Sequence, residues 1–438
     1  MKDMGVDAFR FSISWTRIFP NGSGQINQAG VDHYNKVIDA LLANGMKPYV
    51  TMFHFDTPQA LEDRYKGWLN PQIINDFASY AETLYEKFGD RVKHWITMNE
   101  PHTVAVQGYD TGVFAPGRCS ILLGSLRCEG GNSATEPYIV AHHLILAHAN
   151  AVSIYRSKYQ KKQQGSIGAS FNVMWYEPAT NRTKDVEATQ RAQDFQLGWF
   201  LDPLMFGDYP SSMRERVEDR LPKFSEAERA LIKGALDFVG INHYTTYYVS
   251  DSPIRLLNDS LGDSHTTAFP FSPHGKPIGE KANAIWLYIV PRGIRELMNY
   301  IKDKYGNPTV LITENENITP MRVLRDQHSL ILRIKIDLRC MVVGMDDPND
   351  PFKPVSEALK DEKRIRYFSG YLQNLAAAIN EDGCNVKGYF AWSLLDNWEW
   401  IFGYTSRFGL FYVDYRDNFK RYPKNSVQWF KTFFNSTC

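Results

Sequence analysis

Two glutamates occupy similar surroundings far apart in the chain. Glu100 lies in Thr97-Met98-Asn99-Glu100-Pro101 and Glu314 in Ile312-Thr313-Glu314-Asn315, each closing a short run of apolar and β-branched residues. A lone carboxylate at a strand end is more often a helix cap or an ion-pair partner than a catalytic group. Two in matching positions, each beside an asparagine, point elsewhere. Glycosidic bond cleavage needs such a pair: one carboxyl gives a proton to the leaving oxygen while the other attacks or shields the anomeric carbon. The two roles demand different pKa values, so the surroundings of the two groups must differ.

Such strand ends meet only if the elements carrying them converge. Short β-branched and aromatic runs predict strands over residues 8–15, 47–53, 94–98, 166–173, 237–244, 309–313 and 386–393. Longer segments with apolar residues at helical spacing predict helices over 27–44, 70–88, 136–159, 185–200 and 284–305 between them. This alternation is that of an α/β chain folded as a (β/α)8 TIM barrel, where acting residues gather at the C-terminal ends of the strands. Seven strands are counted where the closed barrel uses eight. Residues 1–5 read as the end of a helix running into a strand, so the first strand is expected upstream of Met1. A doubly wound sheet would accept seven strands, but no Gly-x-Gly-x-x-Gly turn follows any of them. Gly and Pro punctuate the units, as at Pro20-Asn21-Gly22, and no linker divides the chain, so residues 1–438 read as a single domain.

Composition narrows the function classes. The 438 residues are 43% hydrophobic, enough for a large core, and their formal net charge is zero without long runs of either sign. That pattern gives no footing to nucleic acid or an anionic membrane. No stretch approaches the ~20 apolar residues of a membrane span, and the first ten residues lack a signal-peptide pattern. Aromatic residues crowd between Trp392 and Tyr415, which suits either a stacking site or ordinary core. Cys119 and Cys128, two of five cysteines, bracket a short loop that a disulfide could staple. Sequons begin at Asn21, Asn181, Asn258, Asn317 and Asn435. His142, His143 and His148 fall on a predicted helix without a His-Glu-x-x-His pattern or nearby thiolates, so no metal or other cofactor is implied.

At the two glutamate segments the sequence resembles glycoside hydrolase family 1, and the plant β-glucosidases in particular. The likeness continues through Phe9-Arg10-Phe11-Ser12-Ile13-Ser14-Trp15, His54-Phe55-Asp56-Thr57-Pro58, Gly131-Asn132-Ser133-Ala134-Thr135-Glu136-Pro137, Asn242-His243-Tyr244-Thr245 and Trp392-Ser393-Leu394-Leu395-Asp396-Asn397-Trp398-Glu399-Trp400. The resemblance implies a retaining double displacement, with Glu314 as nucleophile, Glu100 as acid and then base, and carboxyls roughly 5 to 5.5 Å apart. It implies that Arg10 and Tyr244 hydrogen-bond the nucleophile and that Asn99 holds the sugar 2-hydroxyl. His54, Glu399 and Trp400 would take the remaining hydroxyls, with Asn242 also at the sugar, Trp392 as the stacking floor and Phe408 near C6. The implied partner is a small-molecule β-glucoside, with no nucleic acid or membrane, and the oligomeric state is open. A transglucosidase of the same family and a catalytically silent sugar-binding barrel are the alternatives. Glu100 argues against the family's myrosinase branch, which carries Gln there. Relatives of this kind suggest the secretory pathway, vacuole or extracellular space, which the Cys119 and Cys128 pair fits.

Two departures from the resemblance stand out. The family's opening strand, which carries a sugar-binding Gln, has no counterpart in this sequence. After Asn315 the family's Gly is replaced by Glu316, and the expected Gly344-Met345-Asp346-Asp347-Pro348 follows 28 residues later, so 316–343 reads as an insertion, either translated non-coding sequence or a lid beside the pocket.

Overall fold

Strands that are apolar on both faces need cover on both, which favours a parallel sheet wrapped by its own crossover helices. In a computed structural model that describes residues 1–120, 128–252, 259–315 and 345–436, the chain does this. The expected insertion, 316–343, lies outside the described residues. The central strands are β1 (Ala8–Ser12), β2 (Lys47–Phe53), β3 (His94–Asn99), β4 (Ser166–Asn172), β5 (Phe238–Asn242), β6 (Val310–Glu314) and β7 (Val386–Tyr389). They form one sheet in chain order, every neighbouring pair parallel. All of β5, and all of β2 except Lys47, is buried.

Between and after the strands run α1 (Gln28–Ala43), α2 (Gln72–Phe88), α3 (Glu136–Ile154), α4 (Thr183–Gln193), α5 (Arg292–Tyr305), α6 (Glu362–Asn380) and α7 (Asn425–Ser436). Helix α2 shows why such segments dock: Ile73, Phe77, Tyr80, Leu84 and Phe88 recur at helical spacing and are fully buried. Helix α3, packed between α2 and the helix Pro101–Tyr109, is buried nearly all round.

The sheet is strongly curled. In a flat sheet β1 and β6 would be separated by ~24 Å, five spacings of ~4.8 Å. Instead Arg10 of β1 touches Glu314 of β6 at 2.7 Å. Below that contact, Ala8, Tyr49, Ile96, Phe238, Leu311 and Phe390 form one buried layer across the interior, a side chain from each of five strands and one from the residue after β7. Close strand approach requires small residues: a Cβ at Gly168 would stand 2.4 Å from the Phe238 carbonyl oxygen. Among the described residues β1 and β7 are the two edges and do not pair with each other.

Several boundaries differ from expectation. The 8–15 strand stops at Ser12 because Trp15–Ile18 turns into a short helix, burying Trp15 against Tyr80. The 386–393 strand is regular only to Tyr389, then continues through single bonds such as Asn315 N to Phe390 O, 2.8 Å. The 284–305 helix begins at Arg292, since Pro291 lacks an N–H and biases the preceding residue away from helix; Tyr288–Ile289 pairs instead with Glu280–Lys281. The 136–159 and 185–200 helices each pass through a π turn, Tyr155–Tyr159 and Asp194–Gly198, and continue as Gln160–Gln163 and Trp199–Phe206. A side sheet of Trp175–Pro178, Thr246–Asp251 and Thr266–Phe269 was not anticipated. Cys119 and Cys128 are disulfide-bonded, tying down the chain after Pro101–Tyr109. No described helix is long and apolar enough to cross a membrane.

Candidate active site

The C-terminal ends of the strands surround a cavity of about 410 Å³. Of the expected site residues, Glu100, Glu314, His54, Asn99, Asn242, Tyr244, Trp392, Glu399, Trp400 and Phe408 all line it. Arg10 stands just beneath, on the neighbouring edge strand.

Glu314 ends β6 and is buried apart from its opening to the cavity. Arg10 donates from Nη1 to Oε1 at 2.7 Å, and the Tyr244 hydroxyl donates to Oε2 at 2.7 Å. Both oxygens therefore accept hydrogen bonds, one of them from a guanidinium that carries a full positive charge. Tyr244 can hold that proton: withdrawal from water, followed by the Glu314 charge, raises its pKa well above normal. Arg10 is itself fixed by Thr51 Oγ1 at 3.1 Å, the Thr313 carbonyl at 3.0 Å and Asn99 Oδ1 at 2.6 Å.

Glu100 follows β3 and leads into the helix Pro101–Tyr109. Its backbone is left-handed, φ 47°, a conformation that a non-glycine residue adopts only when its surroundings impose it. Here Glu100 N bonds to the Ser170 carbonyl at 2.8 Å, and Pro101 fixes the helix start. Oε1 accepts from Asn242 at 2.7 Å and Oε2 from Thr103 at 2.9 Å. Withdrawal from bulk water, with the Glu314 charge second, pushes this carboxyl up to about 7. Two glutamates on one cavity thus have contrasting neighbours: a guanidinium and a phenol on one, neutral donors and a like charge on the other.

Around them the polar residues interlock. Asn99, buried, donates to His54 Nε2 at 3.1 Å, while its carbonyl serves Arg10 and Asn242. Burial and then the Arg10 charge hold His54 well below its ordinary pKa, so it is neutral with Nε2 accepting. Asn242, expected at the sugar, has its amide committed to Asn99 and Glu100 and accepts from Thr313 Oγ1 at 2.7 Å. It lines the cavity, yet its bonds tie Glu100 to the strand that carries Glu314.

The remaining wall is the loop after β7. Glu399 accepts from Trp392 Nε1 at 3.3 Å and Asn397 Nδ2 at 2.8 Å, and burial pushes its carboxyl up to about 8. Trp400 stacks on His54 at 5.3 Å and meets Phe55 edge-on at 4.8 Å. Sequence reasoning missed the outer wall: Thr103, Gln107, Phe114, Asn172, Met174, Gln196 and Trp286 also line the cavity. Asn172 ends β4 and the others come from the segments that follow β3, β4 and β5, where no periodicity marks a site; of the wall residues left out, only Phe55, inside the His54-Phe55-Asp56-Thr57-Pro58 motif, carried a signal. Among the described residues no cluster of His, Cys, Asp and Glu could hold a metal.

The chain is similar to known proteins over nearly its whole length. A family model described as glycosyl hydrolase family 1 matches residues 1–329 and 344–437, passing over 330–343, the second half of the expected insertion. The chain is 62% identical over its full length to β-glucosidase 6 of Oryza sativa subsp. japonica, covering 79% of that protein, and 62% identical to β-glucosidase 40 of Arabidopsis thaliana, covering 81%. A solved mutant of rice Os3BGlu6 β-glucosidase, in a covalent complex with Glc from GA4GE, superposes with a TM-score of 0.91 at 62% identity, over 98% of this chain and 85% of that one.

Proposed function

The chain belongs to glycosyl hydrolase family 1, and from that membership we propose the following reaction for it. It is a retaining β-glucosidase that releases terminal β-D-glucosyl residues by double displacement. The observation that carries the residue roles is the contrast between Glu100 and Glu314 on one cavity. Glu314 attacks the anomeric carbon through a carboxylate oxygen as Glu100 gives its proton to the glycosidic oxygen. The C–O bond to the aglycone breaks, the alcohol leaves, and a glucosyl ester on Glu314 remains. That ester carries no charge, so the repulsion that helps keep Glu100 protonated disappears. Glu100 is then fit to take a proton from water as the water oxygen attacks the anomeric carbon, freeing Glu314 and returning glucose with its β configuration. Two inversions give retention.

Asn99, His54, Glu399, Trp400 and Trp392 form the glucose side of the cavity. Buried polar groups of this kind reject a sugar that leaves them unpaired. The disulfide supports synthesis along the secretory route, where such bonds persist. Incubation with a chromogenic β-glucoside should release the aglycone, and NMR of the first-formed sugar should show the β anomer. Initial α-glucose would overturn the double displacement; binding without release would leave a silent sugar-binding barrel.

A further inference from the structure

Behind the glucose-binding loop lies a buried set of charges that the reaction above does not use. Three acids, Asp347, Asp361 and Asp396, meet three bases, Arg364, Arg407 and Lys424, and every one except Asp347 is almost fully buried. Such a set is stable only if the charges balance and the hydrogen bonds are complete. Asp396 is the acidic member inside the loop, three residues before Glu399. It accepts from Arg407 Nη1 at 2.6 Å, Gly409 N at 2.9 Å, Val413 N at 3.2 Å and Lys424 Nζ at 3.0 Å. Gly409 is pressed so close that a Cβ there would stand 2.0 Å from Asp396 N.

Arg407 belongs to the returning limb of the same loop, so its bond to Asp396 closes the loop on itself. Lys424 comes from outside, one residue before α7 begins. Its backbone N bonds to the Leu410 carbonyl at 3.0 Å, while Asp361, just before α6, accepts from Ser426 N and Oγ. Lys424 therefore ties the loop to the body of the molecule. From Asp396 the next residue, Asn397, continues the chain of contacts to Glu399 Oε1, and Glu399 in turn holds Trp392.

We propose that Lys424 is a positioning residue for glucose binding: its ammonium, seated on Asp396, sets the pose of the loop that presents Glu399 and Trp400 to the sugar. This rests on the reading of that loop as the glucose side of the cavity. The arrangement also makes the pose depend on a proton. Lys424 is faced by Asp396 from the loop, Asp347 from the segment after β6, and Asp361 and Arg364 from the start of α6. Burial, with Arg364 second, outweighs the three carboxylates and brings its pKa down to about 8. Above that pH the set has three acids against two bases, and the unbalanced carboxylate is inside the loop.

The test is binding of a thio-linked phenyl β-D-glucoside, followed by tryptophan fluorescence from about pH 6 to about pH 9.5, which isolates binding from turnover. Lys424→Met should weaken binding about tenfold or more at the acid end, on the scale of a displaced contact group. Lys424→Arg, which keeps its charge throughout, should restore most of the affinity and lose affinity less steeply than the unaltered protein at the alkaline end. Glu399 titrates in the same range but equally in both, so the difference between the two curves belongs to Lys424. Equal curves for the unaltered protein and Lys424→Arg would overturn the proposal, even if Lys424→Met failed to fold. Glu399→Gln separates the two readings. If it weakens binding and Lys424→Met does not, the positioning role fails alone; if Glu399→Gln also binds normally, the assignment of the loop to glucose fails.

Discussion

Glu100 and Glu314 are the same side chain, made unlike by their neighbours. Glu314→Ala, which removes the proposed nucleophile, should lower kcat by on the order of 10⁵-fold, with azide restoring turnover and giving the α-glucosyl azide; ordinary turnover would end the assignment. The acid role proposed for Glu100 needs its proton, and burial raises this carboxyl to about 7, so kcat/KM should fall as pH rises through that value. Asn242 donates to the ionised form of Glu100, so Asn242→Ala should move this alkaline limb upward, read from a pH–rate profile. In Glu100→Ala, glucosides with good leaving groups should suffer less in the first step than alkyl glucosides, which need the proton more; equal losses would count against the acid role. At this scale the sequence was most informative, since Glu100, Glu314 and Arg10 sit in quoted motifs. The bonds that tie Asn242 to Asn99, Glu100 and Thr313 were not legible, because those partners are remote in sequence.

Elements were legible where period and length agreed and obscure where they did not. Strand β2 matched its expected bounds because six of its seven residues, all but Lys47, are apolar or β-branched between clear breaks. The side sheet was missed because its strands are short and leave much of their surface part-buried, so they show little alternation. Expected helix 284–305 overran because the apolar spacing continues through Pro291, where hydrogen bonding cannot. Close packing at this level is also testable. Gly168→Ala would drive a methyl into the Phe238 carbonyl and should destabilise by about 1–3 kcal/mol in chemical denaturation. Replacing Cys119 by Ser opens a loop of sequence separation 9, for which loop-closure entropy gives ~2.5 kcal/mol.

For the molecule as a whole, the site is a source of instability that varies with pH. Glu100 and Glu399 in the cavity, and Asp56, which accepts from the backbone N of His54, are raised to about 7, about 8 and about 6, chiefly by withdrawal from water. Their unfolded values lie near 4, so the native state binds more protons than the unfolded one between those limits. The stability these groups contribute is complete below pH ~4 and is lost as pH rises through about 6 to 8. The melting temperature should therefore decline across that window, and Glu399→Gln should flatten the decline; an unchanged slope would count against a buried, protonated Glu399. The left-handed backbone at residue 100 extends this conflict to evolution. A glycine would relax it at once, so a population screened only for survival of heating should come to lose the carboxyl proposed as acid, gaining robustness by the same substitution that removes it.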